Sequence, residues 1–110
     1  MLVEASPGLK EWRSTVTLAA KKEMMNGVLF QPFQDAVRVA MVFYLPKPKS
    51  VKRVYPTVPP DVDKLVRAVL DAITDAHVWK DDSQVVEVVA HKRYAISEEQ
   101  MGVTVSIHAL

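Results

Sequence analysis

Apolar residues recur at helical spacing in two segments of the chain. The first pattern is formed by Leu9, Trp12, Val16, Ala19 and Ala20. It predicts a helix over residues 7–25 that begins at Ser6-Pro7 and ends in a left-handed conformation at Asn26-Gly27. The second pattern follows the spacing i, i+3, i+4, i+7, i+8 and i+11 through Val62, Leu65, Val66, Val69, Leu70 and Ile73. It predicts a second, amphipathic helix.

Three further segments have the pattern of β-strands. Residues 36–46 are apolar at odd and at most even positions, which predicts a central strand covered on both faces, by helices or by a partner subunit. Residues 85–95 predict a second strand, and alternation at Val103, Val105 and Ile107 predicts a half-buried last strand. Residues 46–60 hold five of the seven prolines and predict a loop.

The order of these elements is helix, strand, loop, helix, strand, strand. It predicts an α+β fold in which two helices pack on a small mixed β-sheet. A length of 110 residues fits a single domain over residues 1–110, and a 49% share of apolar residues supplies one modest core.

The composition excludes several classes of protein. The chain has no cysteine, which rules out disulfides, thiolate zinc sites and cysteine nucleophiles. No apolar run approaches the ~20 residues of a membrane helix. The first residues lack the basic region and cleavage site of a signal peptide. We therefore expect a cytoplasmic protein with no membrane partner.

Charge is distributed unevenly, although the net charge is only +1. Residues 44–60 contain four basic residues and no acid, a local charge of +4. Residues 61–82 contain six aspartates and three basic residues, a local charge of −3. A basic segment beside an acidic site is the layout expected of an enzyme that acts on a polyanion. The candidate DNA-binding residues are Lys47, Lys49, Lys52, Arg53 and Lys64.

Acidic residues lie at both ends of the second helix, with Asp61 and Asp63 at its start and Asp81-Asp82 beyond its end. Pro59-Pro60 favour extended backbone before Asp61, and in extended chain residues i and i+2 point the same way. Carboxylates that converge repel each other unless a cation lies among them, and Mg²⁺ prefers oxygen ligands. The pattern indicates a magnesium-dependent nuclease. Asp82 would reach Asp63 if the following strand returns toward the helix start, or if a partner chain closes the gap.

Simpler roles are open for the same residues. Asp63 would serve as an ordinary helix N-cap, and Asp81-Asp82-Ser83 as an ordinary turn. Arg67, four residues after Asp63 and four before Asp71, would form surface ion pairs, and the lysine run would be a solvated surface. Trp12 and Trp79 are expected to be core residues rather than platforms for base stacking.

Several stretches combine into one spaced motif: Pro60-Asp61-Val62-Asp63, Arg67, Leu70-Asp71-Ala72-Ile73 and Trp79-Lys80-Asp81-Asp82-Ser83-Gln84-Val85. With no gaps in its spacing, this motif resembles that of the RusA family of Holliday junction resolvases. Upstream, Phe43-Tyr44-Leu45-Pro46-Lys47-Pro48 and Glu11-Trp12-Arg13 are similar to phage-type members of the family.

The resemblance implies a RusA-like homodimeric endodeoxyribonuclease of phage or prophage origin, which needs Mg²⁺ and cuts four-way junctions in DNA recombination and repair. Its metal-binding and catalytic aspartates would be Asp61, Asp63 and Asp82. Arg67 would replace the essential catalytic lysine of the family, and Lys64 replaces an asparagine. The strand that usually precedes the first helix is expected to be absent.

Three hypotheses follow from these observations. In the main one, the basic segment holds the backbone of a DNA junction, the three aspartates bind Mg²⁺, and Arg67 stabilises the charged transition state. The second is a catalytically impaired remnant that still binds DNA junctions. The third is a structural or interaction protein in which the aspartates only cap a helix and form a turn.

Overall fold

The computed structural model describes residues 1–5, 12–27 and 30–110 of the chain. These residues form two α-helices and a four-stranded mixed sheet, with loops between them. In chain order the elements are β1 (Leu2–Ala5), α1 (Trp12–Asn26), β2 (Val37–Leu45), α2 (Val62–Asp75), β3 (Val85–Tyr94) and β4 (Gly102–Ala109). The sheet order is β1-β4-β2-β3; β2 is parallel to β3 and antiparallel to β4, and β1 is antiparallel to β4. The predicted α+β class is confirmed.

The core lies between the helices and one face of the sheet. Alternate side chains of β2, from Val37 to Leu45, are buried on this face because every second residue of a strand points the same way. The apolar stripe of α2 packs on them through Leu65, Val69 and Ile73, while α1 adds Val16 and Ala20. The predicted central strand and the predicted helical stripe are both confirmed.

The opposite face of β2 is less covered than its sequence predicts. Ala40, Val42 and Tyr44 are only half-buried, and Arg38 is exposed. Both helices contribute to the single core on the other face, so a helical cover on this second face is ruled out among the described residues. The alternative cover that the sequence left open, a partner subunit, stays a prediction.

A crossover joins the two parallel strands, because parallel neighbours cannot be linked by a tight turn. It consists of the predicted loop, residues 46–60, followed by α2. The helix ends with His77 in the left-handed region at φ 63°, where the N–H of His77 donates to Thr74 O at 3.0 Å and that of Val78 donates to Ile73 O at 3.3 Å. Trp79 follows in the core at 1% exposure, and its indole N–H donates to Thr74 Oγ1 at 2.7 Å, which confirms its predicted place.

Two expectations about the first part of the chain are wrong. A strand does precede α1, because Leu2–Ala5 forms β1 and pairs with β4 from Leu2↔Ser106 to Ala5↔Val103. Gly27 does not take the left-handed conformation; its N–H donates to Glu23 O at 3.2 Å as the helix ends. The predicted helix start at Ser6-Pro7 lies outside the described residues. Neither described helix is long and apolar enough to cross a membrane.

Candidate functional site

The first acidic pair lies at the N-terminus of α2. Asp61 is the N-cap, with extended backbone at φ −70° and ψ 144°, but its side chain makes no capping hydrogen bond and instead lies 3.8 Å from Lys64 Nζ. Asp63 is exposed within the first helical turn, and no partner for its side chain is found among the described residues. The cap is therefore Asp61 rather than Asp63. The alternation of an extended chain does not apply to the pair, since Asp63 is already helical.

The second acidic pair divides into a structural residue and an available one. Asp81 caps the one-turn 3-10 helix Asp82–Gln84 by accepting a hydrogen bond from Ser83 N at 2.9 Å, and this bond lowers the pKa of Asp81. The Gln84 amide closes the turn from the other side, because its Oε1 accepts from the N–H groups of Lys80 and Asp81. The prediction of an ordinary turn is thus confirmed for Asp81. The Asp82 side chain contacts a different partner, Arg67.

Arg67 joins Asp82 to the middle of α2. Its Nη1 donates to Asp82 Oδ2 at 2.9 Å and lies 3.7 Å from Asp71 Oδ1, one turn further along the helix. Both carboxylate side chains are 32% exposed, against 66% for Arg67. The segment after the helix therefore returns far enough to bring Asp82 beside Arg67, and the predicted surface ion pair of Arg67 is confirmed with Asp71 as a partner.

Arg13 extends this arrangement onto α1. Its Nε donates to Asp75 Oδ2 at 2.7 Å and its Nη2 to Asp75 Oδ1 at 3.1 Å, while Nη1 lies 3.9 Å from Asp71 Oδ2. The hydrogen bond from Arg13 lowers the pKa of Asp75, and the same bond raises the pKa of Arg13. Arg13, Asp71, Arg67 and Asp82 form a line of alternating charge, which we call the α2 charge row.

The basic loop, residues 46–60, is tied to the end of β3 at several points. Lys92 Nζ donates to Val58 O at 2.8 Å and to Pro60 O at 2.9 Å, which fixes the backbone just before Asp61. Arg53 Nε donates to the hydroxyl of Tyr94 at 2.8 Å. These contacts place the loop beside the N-terminus of α2, where Asp61 begins the helix.

All five predicted DNA-binding residues are exposed. Lys47 Nζ and Arg53 Cζ lie 5.7 and 6.0 Å from the centroid of the Tyr94 ring, which is within the range of a cation–π contact. Lys49 and Lys52 extend from the loop without a side-chain partner among the described residues. The loop thus presents free cations next to an acidic helix end.

A site for Mg²⁺ can be tested on the donor atoms themselves. Aspartate oxygens suit this ion, which binds through one or two carboxylates, waters and substrate phosphates. Over residues 1–5, 12–27 and 30–110, however, one chain holds no group of three His, Cys, Asp or Glu side chains arranged around a common point. The donor chemistry fits Mg²⁺, but the structure does not bring Asp61, Asp63 and Asp82 together as one ligand set.

Three residues that were given no binding or catalytic role from the sequence contribute to this region, although Asp71 and Gln84 belong to the spaced motif. Asp71 shares Arg67 with Asp82, as its spacing of four residues from Arg67 allows. Gln84 donates through Nε2 to Phe33 O and Asp35 O, both at 3.0 Å. Lys92 pins the basic loop from a strand far along the chain, and no local pattern announces that contact.

A family model, that of endodeoxyribonuclease RusA, matches residues 3–108 of the chain. The matched range includes the basic loop, the α2 charge row and all four strands except Leu2 of β1 and Ala109 of β4. The chain belongs to the RusA endodeoxyribonuclease family. This membership confirms the resemblance inferred from the aspartate spacing.

A curated protein is also similar to this chain. The uncharacterized protein YqaN of Bacillus subtilis (strain 168) is 33% identical over 98 residues, which cover 78% of this chain and 66% of that protein. The match therefore spans slightly less than two thirds of the length of that relative. It supports the family and carries no information on activity.

The ion pair between Arg13 and Asp75 leads to a prediction about pH. The pKa of Asp75 is lower in the folded chain than its ordinary value of 3.8, so its contribution to stability is present above that value and is lost as pH falls through the folded pKa. We expect Asp75→Asn to lower the melting temperature at pH 7. The difference from the original chain should shrink as pH falls below about 3.8. Thermal melts followed by circular dichroism from pH 7 to pH 2.5 measure this.

The matched control is Asp35→Asn, because the Asp35 carboxylate is exposed and has no cation partner among the described residues. It should leave the melting temperature nearly unchanged at every pH. A deficit of Asp75→Asn that persists undiminished at pH 2.5 would show that the ion pair is not its cause.

Proposed function

We propose that this chain is a structure-selective endodeoxyribonuclease that cuts four-way DNA junctions with the help of Mg²⁺. The observation that carries the proposal is the family match over residues 3–108, which joins a basic loop and an acidic helix in one unit. We take residues 1–110 as one nuclease domain. The structural or interaction protein considered above lacks support of this kind, because such a role would not require the two oppositely charged surfaces to adjoin.

The basic loop would bind the phosphate backbone of the junction arms. Lys47, Lys49, Lys52 and Arg53 are exposed on it, and Lys64 extends from the first turn of α2. Phosphate contacts of this kind position a DNA duplex without reading its sequence. Because Lys92 holds the loop next to Asp61, a backbone bound on the loop would pass close to the acidic end of α2.

Asp61, Asp63 and Asp82 are the residues that would hold Mg²⁺, although one chain does not gather them around a common point; DNA phosphates and waters would complete the shell of the ion. When bound, the ion would polarise a phosphate oxygen and lower the pKa of a coordinated water. The guanidinium of Arg67 offers a planar fork that matches phosphate oxygens. An Arg67 side chain that turns from Asp82 to a phosphate would free the Asp82 carboxylate and offset charge on the reacting group.

A homodimer would suit this activity, because resolving a four-way junction takes two symmetric cuts and a two-fold axis supplies two sites. The uncovered face of the sheet supports this part of the proposal. Ala40 and Val89 are neighbours across β2 and β3, Val42 lies two residues along, and Val89 is 42% exposed. A second copy packed on this face would give β2 the second cover that its sequence predicts.

One observation favours the catalytically impaired alternative. The guanidinium of Arg67 already neutralises Asp82 at 2.9 Å, so a divalent ion must compete with a tethered cation for that carboxylate. The replacement of an asparagine by Lys64 also favours this alternative, whereas a third motive, an absent first strand, no longer applies because β1 is present.

Cleavage of a synthetic four-way junction tests the proposal. With Mg²⁺ the unmodified chain should cut the junction, whereas Asp63→Asn and Asp82→Asn should abolish cutting, because the amide weakens the ligand set. Both variants should keep most of their affinity for the junction. Denaturing gels measure the cut strands, and electrophoretic mobility shift assays in EDTA measure binding.

Asp35→Asn is the control for these variants and should cut normally. Unchanged cutting by both active-site variants would defeat the assignment of the site. Junction binding with no product at any divalent concentration would instead establish the catalytically impaired alternative.

Salt dependence tests the role of the basic loop. If its four basic residues each meet a phosphate, the logarithm of the binding constant should fall with the logarithm of salt concentration at a slope of about −3.6, from about −0.9 per contact. The double variant Lys49→Ala, Lys52→Ala should reduce this slope by about 1.8. Fluorescence anisotropy with a labelled junction, titrated at several salt concentrations, gives the slope.

The matched control for the loop is Lys21→Ala, Lys22→Ala, which removes two exposed lysines from α1. Its slope should equal that of the unmodified chain. Equal slopes for both double variants would remove the loop from the DNA interface.

The mass in solution tests the homodimer. We expect sedimentation equilibrium to give twice the 12.3 kDa chain mass and Val89→Asp to give the monomer mass, because a buried, unpaired carboxylate opposes association. Val54→Asp makes the same change on the basic loop, where Val54 is 73% exposed, and should stay dimeric. A monomer mass for the unmodified chain at all concentrations would contradict a stable dimer.

A further inference from the structure

An open pocket of about 640 Å³ lies between the basic loop, the ends of β2 and β3, and the starts of the two helices. This volume is within the ~300–1,000 Å³ typical of small-molecule sites. Four buried residues line the pocket, Leu45, Pro56, Leu65 and Gly102. Met101, which is half-buried, lines it as well. Of the residues that the proposed function uses, Arg53 alone is among the described lining residues, so the apolar interior of the pocket is left without a role.

The walls of the pocket are aromatic and rigid. Three half-buried rings line it, those of Trp12, Tyr44 and Tyr94. Five prolines of the basic loop also line it, and four of them are exposed. Trp12 is held edge-on against Phe43, with ring centroids 5.8 Å apart and planes at 66°. Flat apolar walls of this kind favour a flat aromatic ligand, since ring faces stack at little entropic cost.

The rim of the pocket is cationic, which identifies what must accompany such a ligand. Arg53 is the one charged residue among the described lining residues, and Lys47 joins it over the Tyr94 ring. Arg93 lies nearby at 5.1 Å from the Tyr55 ring centroid. A ligand with an apolar ring inside and an anion at the mouth matches this distribution, whereas a neutral apolar peptide gives the cations no partner.

The pocket also adjoins the proposed reacting site. Pro59 and Pro60 form part of its wall, Asp61 follows directly, and Lys92 fixes the backbone of Pro60. A ring bound in the pocket and a phosphate near Asp61 would therefore be close neighbours along one strand. At a junction the bases beside the branch point are less constrained by pairing and stacking, so extracting one is cheaper there than within a duplex.

We propose that this pocket binds one unstacked nucleobase of the DNA strand whose phosphates contact the basic loop. The proposal rests on the proposed junction-binding function and adds to it a site that holds a base. It gives Trp12 a second role besides the packing on Phe43. It also accounts for the concentration of prolines, since they form a stiff wall rather than a freely moving loop.

Junctions with single abasic sites test this proposal by binding in EDTA. An abasic site is moved through the nucleotides that flank the branch point, and affinity is measured by fluorescence anisotropy. We expect one position in each symmetry-related strand at which loss of the base weakens binding about 5-fold to 100-fold, the scale of one stacked base at ~1–3 kcal/mol. The other positions should change affinity little.

A pocket-filling variant, Met101→Trp, completes a double-mutant cycle. It should weaken binding of the intact junction by a similar factor, and removing the sensitive base should then cost nothing further. Met25→Trp makes the same substitution on α1, where Met25 is 84% exposed, and this variant should bind each junction as the unmodified chain does. If Met101→Trp melts at a lower temperature than the unmodified chain, Tyr94→Leu gives the same comparison. It removes a wall of the pocket instead of filling it.

The outcomes separate this proposal from the one on which it rests. Junction binding that is insensitive to every abasic position, or to both pocket variants, would overturn the base site and leave the nuclease proposal intact; a pocket that takes a peptide segment gives this result. Absence of junction binding by the unmodified chain would overturn both.

Discussion

The parallel pairing of β2 with β3 is the constraint on which the rest of this structure depends. Parallel neighbours require a long crossover, and here the crossover consists of the basic loop, α2 and the turn at Asp81. Burial of Leu65, Val69 and Ile73 against the inner face of β2 stabilises the position of the helix. Every residue proposed to bind Mg²⁺ or the DNA backbone lies on this one connection, and the sheet beneath it acts as a rigid support.

Arg67 determines the electrostatics of that connection. It lies between two carboxylates that come from different elements, one on α2 and one on the turn before β3. One nitrogen of its guanidinium, Nη1, contacts both, because it donates to Asp82 at 2.9 Å and lies 3.7 Å from Asp71. The ion pairs on this surface are solvent-exposed, so each adds little to stability. Their importance lies in where they hold Asp82.

The elements of the fold could be predicted where the pattern was long. The stripe of α2 and the apolar run of β2 each extend over nine residues or more, and both appear where their periodicity indicated. β1 was missed because four residues cannot display a reliable alternation, and its pairing partner, β4, lies at the other end of the chain. The face of β2 that points away from the core was predicted to be more covered than it is, because periodicity reports which residues are apolar but not what packs on them.

The site was predicted less completely than the fold. The spacing of the aspartates identified the family and located the relevant segments, yet it did not reveal that Asp61 takes the cap position or that Asp82 meets the second turn of α2 through Arg67. These outcomes depend on how far the chain returns after His77, and that distance is set by the packing of Trp79 in the core. Long-range contacts such as those of Lys92 leave no trace in local sequence.

The Gln84 side chain has a consequence for the dynamics of the sheet. One amide group spans from the turn before β3 to the carbonyls of Phe33 and Asp35, just before β2. A single side chain thus connects the segments that lead into two strands distant in the chain. Fraying at one strand start must break the same bonds that hold the other, so the two ends should open as one cooperative unit rather than independently.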